Sequence, residues 1–177
     1  NAPKHLLGIH EYGEGQIITA YRPHAVEVKV TSRTGKKVHT MEKVTDEGFY
    51  AIFFPKKEFN GTKYNLVTTY EDGTTVTTAD PYEFDSQISD FDSYLFAEGK
   101  HYEIYNKFGA HPMTIDGVKG TYFAVWAPDA RRVSVVGDFN MWDGNLHPMQ
   151  LRPNGGIYEL FIPNVLSGAV YKYQILT

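Results

Sequence analysis

The residues best suited to binding chemistry lie in one segment, residues 137–149, with the sequence GDFNMWDGNLHPM. Trp142 stands there among Gly, Asn and Asp residues, which favour turns. Loops lie on the surface, where an exposed indole is costly unless it is used. A flat indole can stack on the apolar C–H face of a pyranose ring while neighbouring polar groups bond its hydroxyls. Two interpretations stay open: Trp142 stacks on a sugar, or it folds back onto its own domain.

The composition of the chain excludes several classes of function. The chain has 177 residues, 42% of them hydrophobic and 15% aromatic, which argues against disorder. The net charge of 17 − 21 = −4 makes it a poor binder of nucleic acid or of anionic membranes. No apolar run approaches the roughly 18 residues of a membrane span. No apolar signal core stands near the start, so nothing directs secretion and we expect a cytoplasmic protein. Without cysteine there is no disulfide, thiolate zinc site or cysteine nucleophile, and we expect no metal or cofactor.

Most of the chain has the pattern of short strands. Val26, Val28 and Val30 alternate with polar residues, which predicts a half-buried strand. Residues 122–126 and 133–136 are continuously apolar enough for strands that are buried on both faces. Turn-forming residues separate the segments at 33–35, 71–73 and 153–156. Short strands with regular turns favour β-sandwiches.

Residues 81–107 break this pattern and are interpreted as a connector between two domains. Ser89 could cap a short helix whose apolar face is Phe91, Tyr94 and Leu95 and which ends at Gly99. A second helical turn could follow through Tyr102 and Tyr105. The alternative is a surface excursion of a single domain. The expected organisation is a sandwich at residues 1–80, the connector at 81–107 and a second sandwich at 108–177.

A diverged repeat supports the two sandwiches. Four pairs of segments match in the same order, with offsets of 101, 105, 108 and 107: 7–10 with 108–111, 22–25 with 127–130, 48–55 with 156–163, and 61–64 with 168–171. One match could arise by chance, whereas four in register imply two copies of one unit. The predicted fold class is therefore all-β, with two tandem immunoglobulin-like β-sandwiches joined by a connector with short helices.

Residues that both copies share are expected to be scaffold rather than site. These pairs are His10 with His111, Tyr21 with Trp126, Tyr50 with Tyr158, and Tyr64 with Tyr171. Trp126 is accordingly predicted to lie in the core. The two histidines lack partners at metal-ligand spacing and are predicted to be hydrogen-bonded structural residues. Only the second copy has the Trp142 segment.

The second copy strongly resembles the family 48 carbohydrate-binding module of bacterial glycogen branching enzymes. The resemblance rests on residues 108–111, 117–128, 135–144 and 147–149. Residues 80–84 and 95–99 are similar to the segment before that module, and residues 1–80 to the additional N-terminal sandwich of the longer enzymes. Related debranching enzymes share the FAVWAP strand, but GDFNMWDG followed by HPM favours branching.

The resemblance implies a parent enzyme that cuts α-1,4-glucan and transfers the piece to a 6-hydroxyl as an α-1,6 branch. That retaining reaction uses a carboxylate nucleophile and a second carboxyl as acid and base. The family carries both on a (β/α)₈ barrel of about 250 residues, for which this chain has no room. No carboxylate here is a catalytic candidate, and the chain alone is predicted to be inactive. The implied partners are α-1,4-glucan (glycogen and maltooligosaccharides) and the barrel, with no nucleic acid or membrane.

The resemblance also indicates three carbohydrate-binding residues. The stacking tryptophan of the family matches Trp142, with Asn140 beside it, and the lysine of its Tyr-Lys-Tyr strand matches Lys172. A second stacking aromatic of the family would lie beyond residue 177. The alternative functions are a bracing or interaction module without glucan binding, or the N-terminal region of a debranching enzyme.

The repeat makes one further structural prediction. The first copy continues past its Tyr64 strand, turns at residues 71–73 and returns along 74–78. The second copy reaches residue 177 only six residues after Tyr171, so its turn and return strand would fall beyond that point. The module is therefore expected to be truncated at its C-terminus. The first sandwich should be complete, and the last strand of the second should lie at a sheet edge, be frayed, or pair with a neighbouring molecule.

Overall fold

The computed structural model describes residues 7–59, 64–88, 92, 97–99, 103–152 and 156–177. These residues form two compact units, one that ends at Phe84 and one that begins at Asp85. Antiparallel sheets build both units, which confirms the predicted all-β class. None of the helices in the described part is long and apolar enough to cross a membrane.

The first unit is a pair of four-stranded antiparallel sheets. Its strands are β1 (Gly8–Tyr12), β2 (Gly15–Tyr21), β3 (Ala25–Ser32), β4 (Val38–Thr40), β5 (Glu42–Lys43), β6 (Phe49–Phe54), β7 (Tyr64–Tyr70) and β8 (Thr75–Ala79). One sheet has the order β1-β2-β6-β5 and the other β4-β3-β7-β8. Alternate side chains of both sheets meet in one core, including Ile18, Tyr50, Val28, Val30 and Leu66. A 3₁₀ helix, Pro81–Glu83, follows β8.

The valine strand differs from its predicted pattern at one position. Val28 and Val30 are fully buried, as the alternation predicts, but Val26 is 59% exposed. The register of β3 against β7 shifts between Ala25 and Glu27. This bulge adds one residue to the strand, so Ala25 takes the inward place and Val26 turns to solvent.

The second unit repeats this plan with fewer strands. They are β9 (Gly109–Ile115), β10 (Val118–Trp126), β11 (Arg132–Gly137), β12 (Gln150–Leu151), β13 (Ile157–Pro163) and β14 (Tyr171–Leu176). One sheet has the order β12-β13-β10-β9, and the other consists of β11 and β14. Two 3₁₀ helices, Glu103–Lys107 and Asp138–Asn140, precede β9 and follow β11.

Hydrogen bonds shared by the two units support the scaffold prediction. The Nε2 atom of His10 bonds the carbonyl of Leu7 at 2.9 Å, and that of His111 bonds the carbonyl of Phe108 at 2.7 Å. In the same way, Tyr50 donates to the carbonyl of Ala25 at 2.9 Å and Tyr158 to that of Ala130 at 2.8 Å. Each bond lies within its own unit and recurs in the other, so the predicted structural roles of the two histidines and of Tyr50 and Tyr158 are confirmed.

Trp126 does not follow the scaffold prediction, which is wrong at this position. Its side chain is 52% exposed, although Tyr122 and Ala124 on the same face of β10 are buried. Ile88 and Phe108, from the segment before β9, pack on the neighbouring Ile157 of this face. Trp126 is the last residue of β10, at the end of the strand, where most of its indole remains accessible.

The last strand of the second unit lies at a sheet edge, as the repeat predicts. β14 pairs with β11, and in the described residues no further strand follows it in that sheet. In the first unit β7 pairs with both β3 and β8. The predicted helix with Ser89, Phe91, Tyr94 and Leu95 falls outside the described residues. Of the second predicted turn, Tyr105 lies in a 3₁₀ helix.

Because two tyrosines are buried, we expect the folded protein to lose stability at alkaline pH. Burial raises the pKa of Tyr122, and the nearby Glu159 carboxylate raises it further. Burial also raises the pKa of Tyr64, and the nearby Asp80 carboxylate raises it further. Tyrosine in an unfolded chain titrates near pH 10. The folded protein thus keeps protons that the unfolded chain releases, and stability is complete below about pH 10 and falls above it.

Each such tyrosine should lower the free energy of unfolding by about 1.4 kcal/mol per pH unit above pH 10. Urea denaturation between pH 8 and 11 measures this slope. Tyr122→Phe and Tyr64→Phe should each make it shallower in the unit that carries the substitution. Slopes that neither substitution changes would show that these phenols do not remain protonated in the folded state.

Candidate functional site

The loop that carries Trp142 is strained and held by its own backbone. After the 3₁₀ helix, Met141 and Trp142 both have left-handed backbones, with φ of 55° and 58°. That conformation costs a residue with a side chain roughly 1–2 kcal/mol. The amide of Trp142 donates to the carbonyl of Gly137 at 2.9 Å, and the amide of Asp143 to that of Asn140 at 3.1 Å. These bonds close a tight turn that carries the indole away from the end of β11.

Asn140 braces the loop from inside. It is only 3% exposed, and its Oδ1 accepts from the amide of Gly137 at 3.0 Å. Its Nδ2 group donates to the carbonyl of Val135 at 2.8 Å and to Nδ1 of His147 at 2.9 Å. The protein therefore uses both amide hydrogens and the oxygen. These bonds join the two ends of the loop to each other.

Arg132 holds the far side of the same loop. Its guanidinium donates to the carbonyl of Gly144 and, at 3.0 Å, to Oδ1 of Asn145. The chain then returns beside β11, where Pro148 bridges to Ser134 and the amide of Met149 donates to the carbonyl of Val133 at 2.7 Å. The loop is thus attached to β11 along most of that strand.

Trp142 is at the surface of this braced loop. Its side chain is 41% exposed, while the indole Nε1–H donates to Oδ1 of Asp138 at 2.8 Å. The hydrogen bond occupies the one polar hydrogen of the ring. The accessible part of the side chain is therefore predominantly the apolar ring surface, which is the part that can stack on a sugar.

Lys172 lies on the sheet face that the Trp142 loop covers. The hydroxyl of Tyr173 reaches the carbonyls of Gly109 and Ala124 in the opposite sheet, so Tyr173 points inward and its neighbour Lys172 points outward. Lys172 is exposed and pairs in register with Val136, close to the start of the loop. Lys172 therefore lies on the face of β14 against which this loop packs through Gly144, and Asn140 is buried inside the loop.

Sequence reasoning missed two residues of this region, Asp138 and Gln174. Gln174 is on the same face as Lys172, and its side-chain amide lies against Gly144 so closely that a Cβ there would overlap it. Strand alternation from Lys172 could have indicated Gln174. The spacing of Asp138 and Trp142, four residues apart in a turn, was the only signal for their hydrogen bond.

Several carboxylates of the chain are buried and paired rather than open to a substrate. Glu159 accepts from the Tyr122 hydroxyl at 2.7 Å and lies 3.9 Å from Nε of Arg152. Glu83 contacts Arg33 in the first unit. In the described part of the chain, no three histidines or carboxylates come together as a metal site.

Two antiparallel β units, one of them with an exposed indole on a braced loop, put the chain in the class of tandem β-sandwich proteins. Family models agree on both halves. Residues 107–177 match "carbohydrate-binding module 48 (isoamylase N-terminal domain)", and residues 1–82 match "alpha-1,4-glucan branching enzyme GlgB, N-terminal domain".

The similar curated proteins are named 1,4-alpha-glucan branching enzyme GlgB. The protein from Rubrobacter xylanophilus is 46% identical, and the match covers 98% of this chain and 23% of that protein. The one from Pseudomonas putida is 43% identical, again over 98% of this chain and 23% of the relative. The solved structure of ligand-free PulA from Klebsiella pneumoniae aligns with a TM-score of 0.34 and 16% identity, over 95% of this chain and 18% of that one.

The chain therefore corresponds to the N-terminal region of the 1,4-α-glucan branching enzymes, with their N-terminal domain at residues 1–82 and carbohydrate-binding module 48 at residues 107–177. It spans about a quarter of the length of the curated relatives. No (β/α)₈ barrel is present among the described residues.

Proposed function

We propose that this region binds α-1,4-glucan, such as glycogen or maltooligosaccharides, and positions it for a catalytic barrel that forms α-1,6 branches. The observation that carries the proposal is the exposed ring of Trp142 on a loop with internal bracing. The names of the relatives supply the substrate class. The proposal includes the cytoplasmic location expected from the sequence.

The three proposed site residues have different roles. Trp142 is the stacking surface, and Lys172 is exposed where its ammonium group can donate to sugar hydroxyls. Asn140 is buried and its amide is bonded to the protein, so we assign it a positioning role beneath the loop. Its contribution to binding is to keep Trp142 at the surface.

A bracing role without glucan binding is the second candidate, and the exposed indole of Trp126 favours it. A side chain of that size, 52% accessible at the end of β10, is suited to contact with another domain. Under this alternative the module packs on the barrel and contributes stability rather than affinity for glucan.

Affinity electrophoresis separates the two candidates. The protein should migrate more slowly in native gels as the glycogen concentration rises, relative to serum albumin in the same gels. The ratio of the two mobilities in a gel without glycogen gives the reference value. Mobility that glycogen leaves unchanged would reject glucan binding and favour the bracing role.

A further inference from the structure

The hydrogen bond between Asp138 and Trp142 is not needed to build the loop. Asn140 and Arg132 make the bonds that brace it, and the backbone carbonyl of Asp138, not its side chain, accepts from the amide of Met141. The Asp138 side chain is exposed and bonds the indole Nε1–H at 2.8 Å. This side chain therefore acts on the indole rather than on the fold.

Two attachments fix the direction of the indole. The backbone amide of Trp142 donates to the carbonyl of Gly137. The indole Nε1–H of Trp142 donates to the carboxylate of Asp138, the residue that follows Gly137. A tryptophan on a surface loop otherwise samples several rotamers. An ionised carboxylate accepts a stronger hydrogen bond than a neutral group does, so it restricts this sampling effectively.

We propose that Asp138 is a positioning residue of the glucan site, and this inference rests on the proposed function. It holds the indole of Trp142 in one orientation before glucan arrives. Ligand binding then loses less rotamer freedom, and preorganisation of this kind raises affinity. Because Asp138 also occupies the ring N–H, the ring offers its apolar surface and needs no polar partner from the sugar.

Asp138→Ala and Asp138→Asn test the inference, with Asp129→Ala as the matched control. Asp129 is an exposed carboxylate in the turn before β11, outside the Trp142 loop. The chain has two tryptophans, so an ¹H–¹⁵N spectrum shows two indole signals, and Trp142→Phe assigns them. Titration with maltoheptaose gives affinity, and thermal unfolding reports the fold.

Asp138→Ala should move the Trp142 indole signal and speed its hydrogen exchange. It should weaken maltoheptaose binding about five- to tenfold, the size expected for the net loss of one ordinary hydrogen bond, with little change in melting temperature. Asp138→Asn keeps an acceptor oxygen and should restore most of the affinity. Asp129→Ala should match the unsubstituted protein. If Asp138→Ala has a much lower melting temperature, the indole signal and the maltoheptaose affinity of Asp138→Asn test the inference instead.

The outcomes distinguish this inference from the proposed function. Unchanged affinity of Asp138→Ala with a shifted indole signal overturns the positioning role and leaves glucan binding intact. An unshifted signal overturns the hydrogen bond itself. Failure of the unsubstituted protein to bind maltoheptaose overturns the proposed function and the glucan role of Asp138 together.

Discussion

Trp142→Ala is expected to remove most of the affinity for glucan while the melting temperature changes little. Stacking of a ring on an aromatic side chain contributes roughly 1–3 kcal/mol in nucleic-acid complexes, a related case, which corresponds to about 5- to 150-fold in the dissociation constant. The side chain is 41% exposed, so its removal leaves the core intact. Calorimetric titration with maltoheptaose and differential scanning calorimetry measure the two quantities.

Two control variants frame this result. Trp126→Ala removes the other exposed indole and should change neither affinity nor melting temperature by much, in contrast to the core role that the repeat predicted. Tyr158→Ala removes a buried aromatic side chain and should destabilise the second unit by roughly 3–5 kcal/mol. A large fall in melting temperature for Trp142→Ala with unchanged affinity would mean that the indole packs on its own domain.

Arg33→Ala is expected to destabilise the first unit by roughly 3–5 kcal/mol, the usual cost of leaving a buried charge without its partner. Arg33 forms an ion pair with Glu83, whose side chain is 2% exposed. The same carboxylate accepts from the amide of Tyr64 at 3.0 Å, and the guanidinium lies 5.7 Å from the ring centre of Phe84. Urea denaturation with a probe in the first unit measures the loss.

Lys37→Ala is the matched control, because Lys37 pairs with Glu58 at 3.4 Å on the surface. Exposed pairs contribute at most about 1 kcal/mol, so this variant should remain close to the unsubstituted protein. The double variant Arg33→Ala/Glu83→Gln should recover part of the stability, since it removes the unpaired carboxylate. An Arg33→Ala cost no greater than that of Lys37→Ala would contradict the buried-pair account.

The architecture was predictable because turn residues and strand alternation are local signals, and the repeat presented the same pattern of strands and turns in two copies. The bulge at Val26 was not, because its cause is the register against β7, a distant strand. The exposure of Trp126 depends on where a covering segment ends, which no aligned copy could indicate.

The candidate site likewise contains residues that the sequence could indicate and residues that it could not. The composition of its loop indicated Trp142, since a tryptophan among turn residues is unusual in any fold. The buried role of Asn140 depends on three partners, the nearest of them three residues away, so its sequence position could not distinguish a brace from a sugar contact. Strand alternation from Lys172 could have indicated Gln174, whereas the role of Asp138 became recognisable only from its hydrogen bond to the Trp142 ring.

The bracing of the Trp142 loop has a kinetic consequence. A loop tied to β11 through Asn140 and Arg132 has little rearrangement left to make when a ligand arrives. Encounter with glucan should therefore be fast and nearly independent of chain length, and discrimination between glucans should lie in how quickly they leave. Under the proposed function, such brief visits to a branched polymer with many chain ends would let the region rebind a neighbouring chain before it diffuses away.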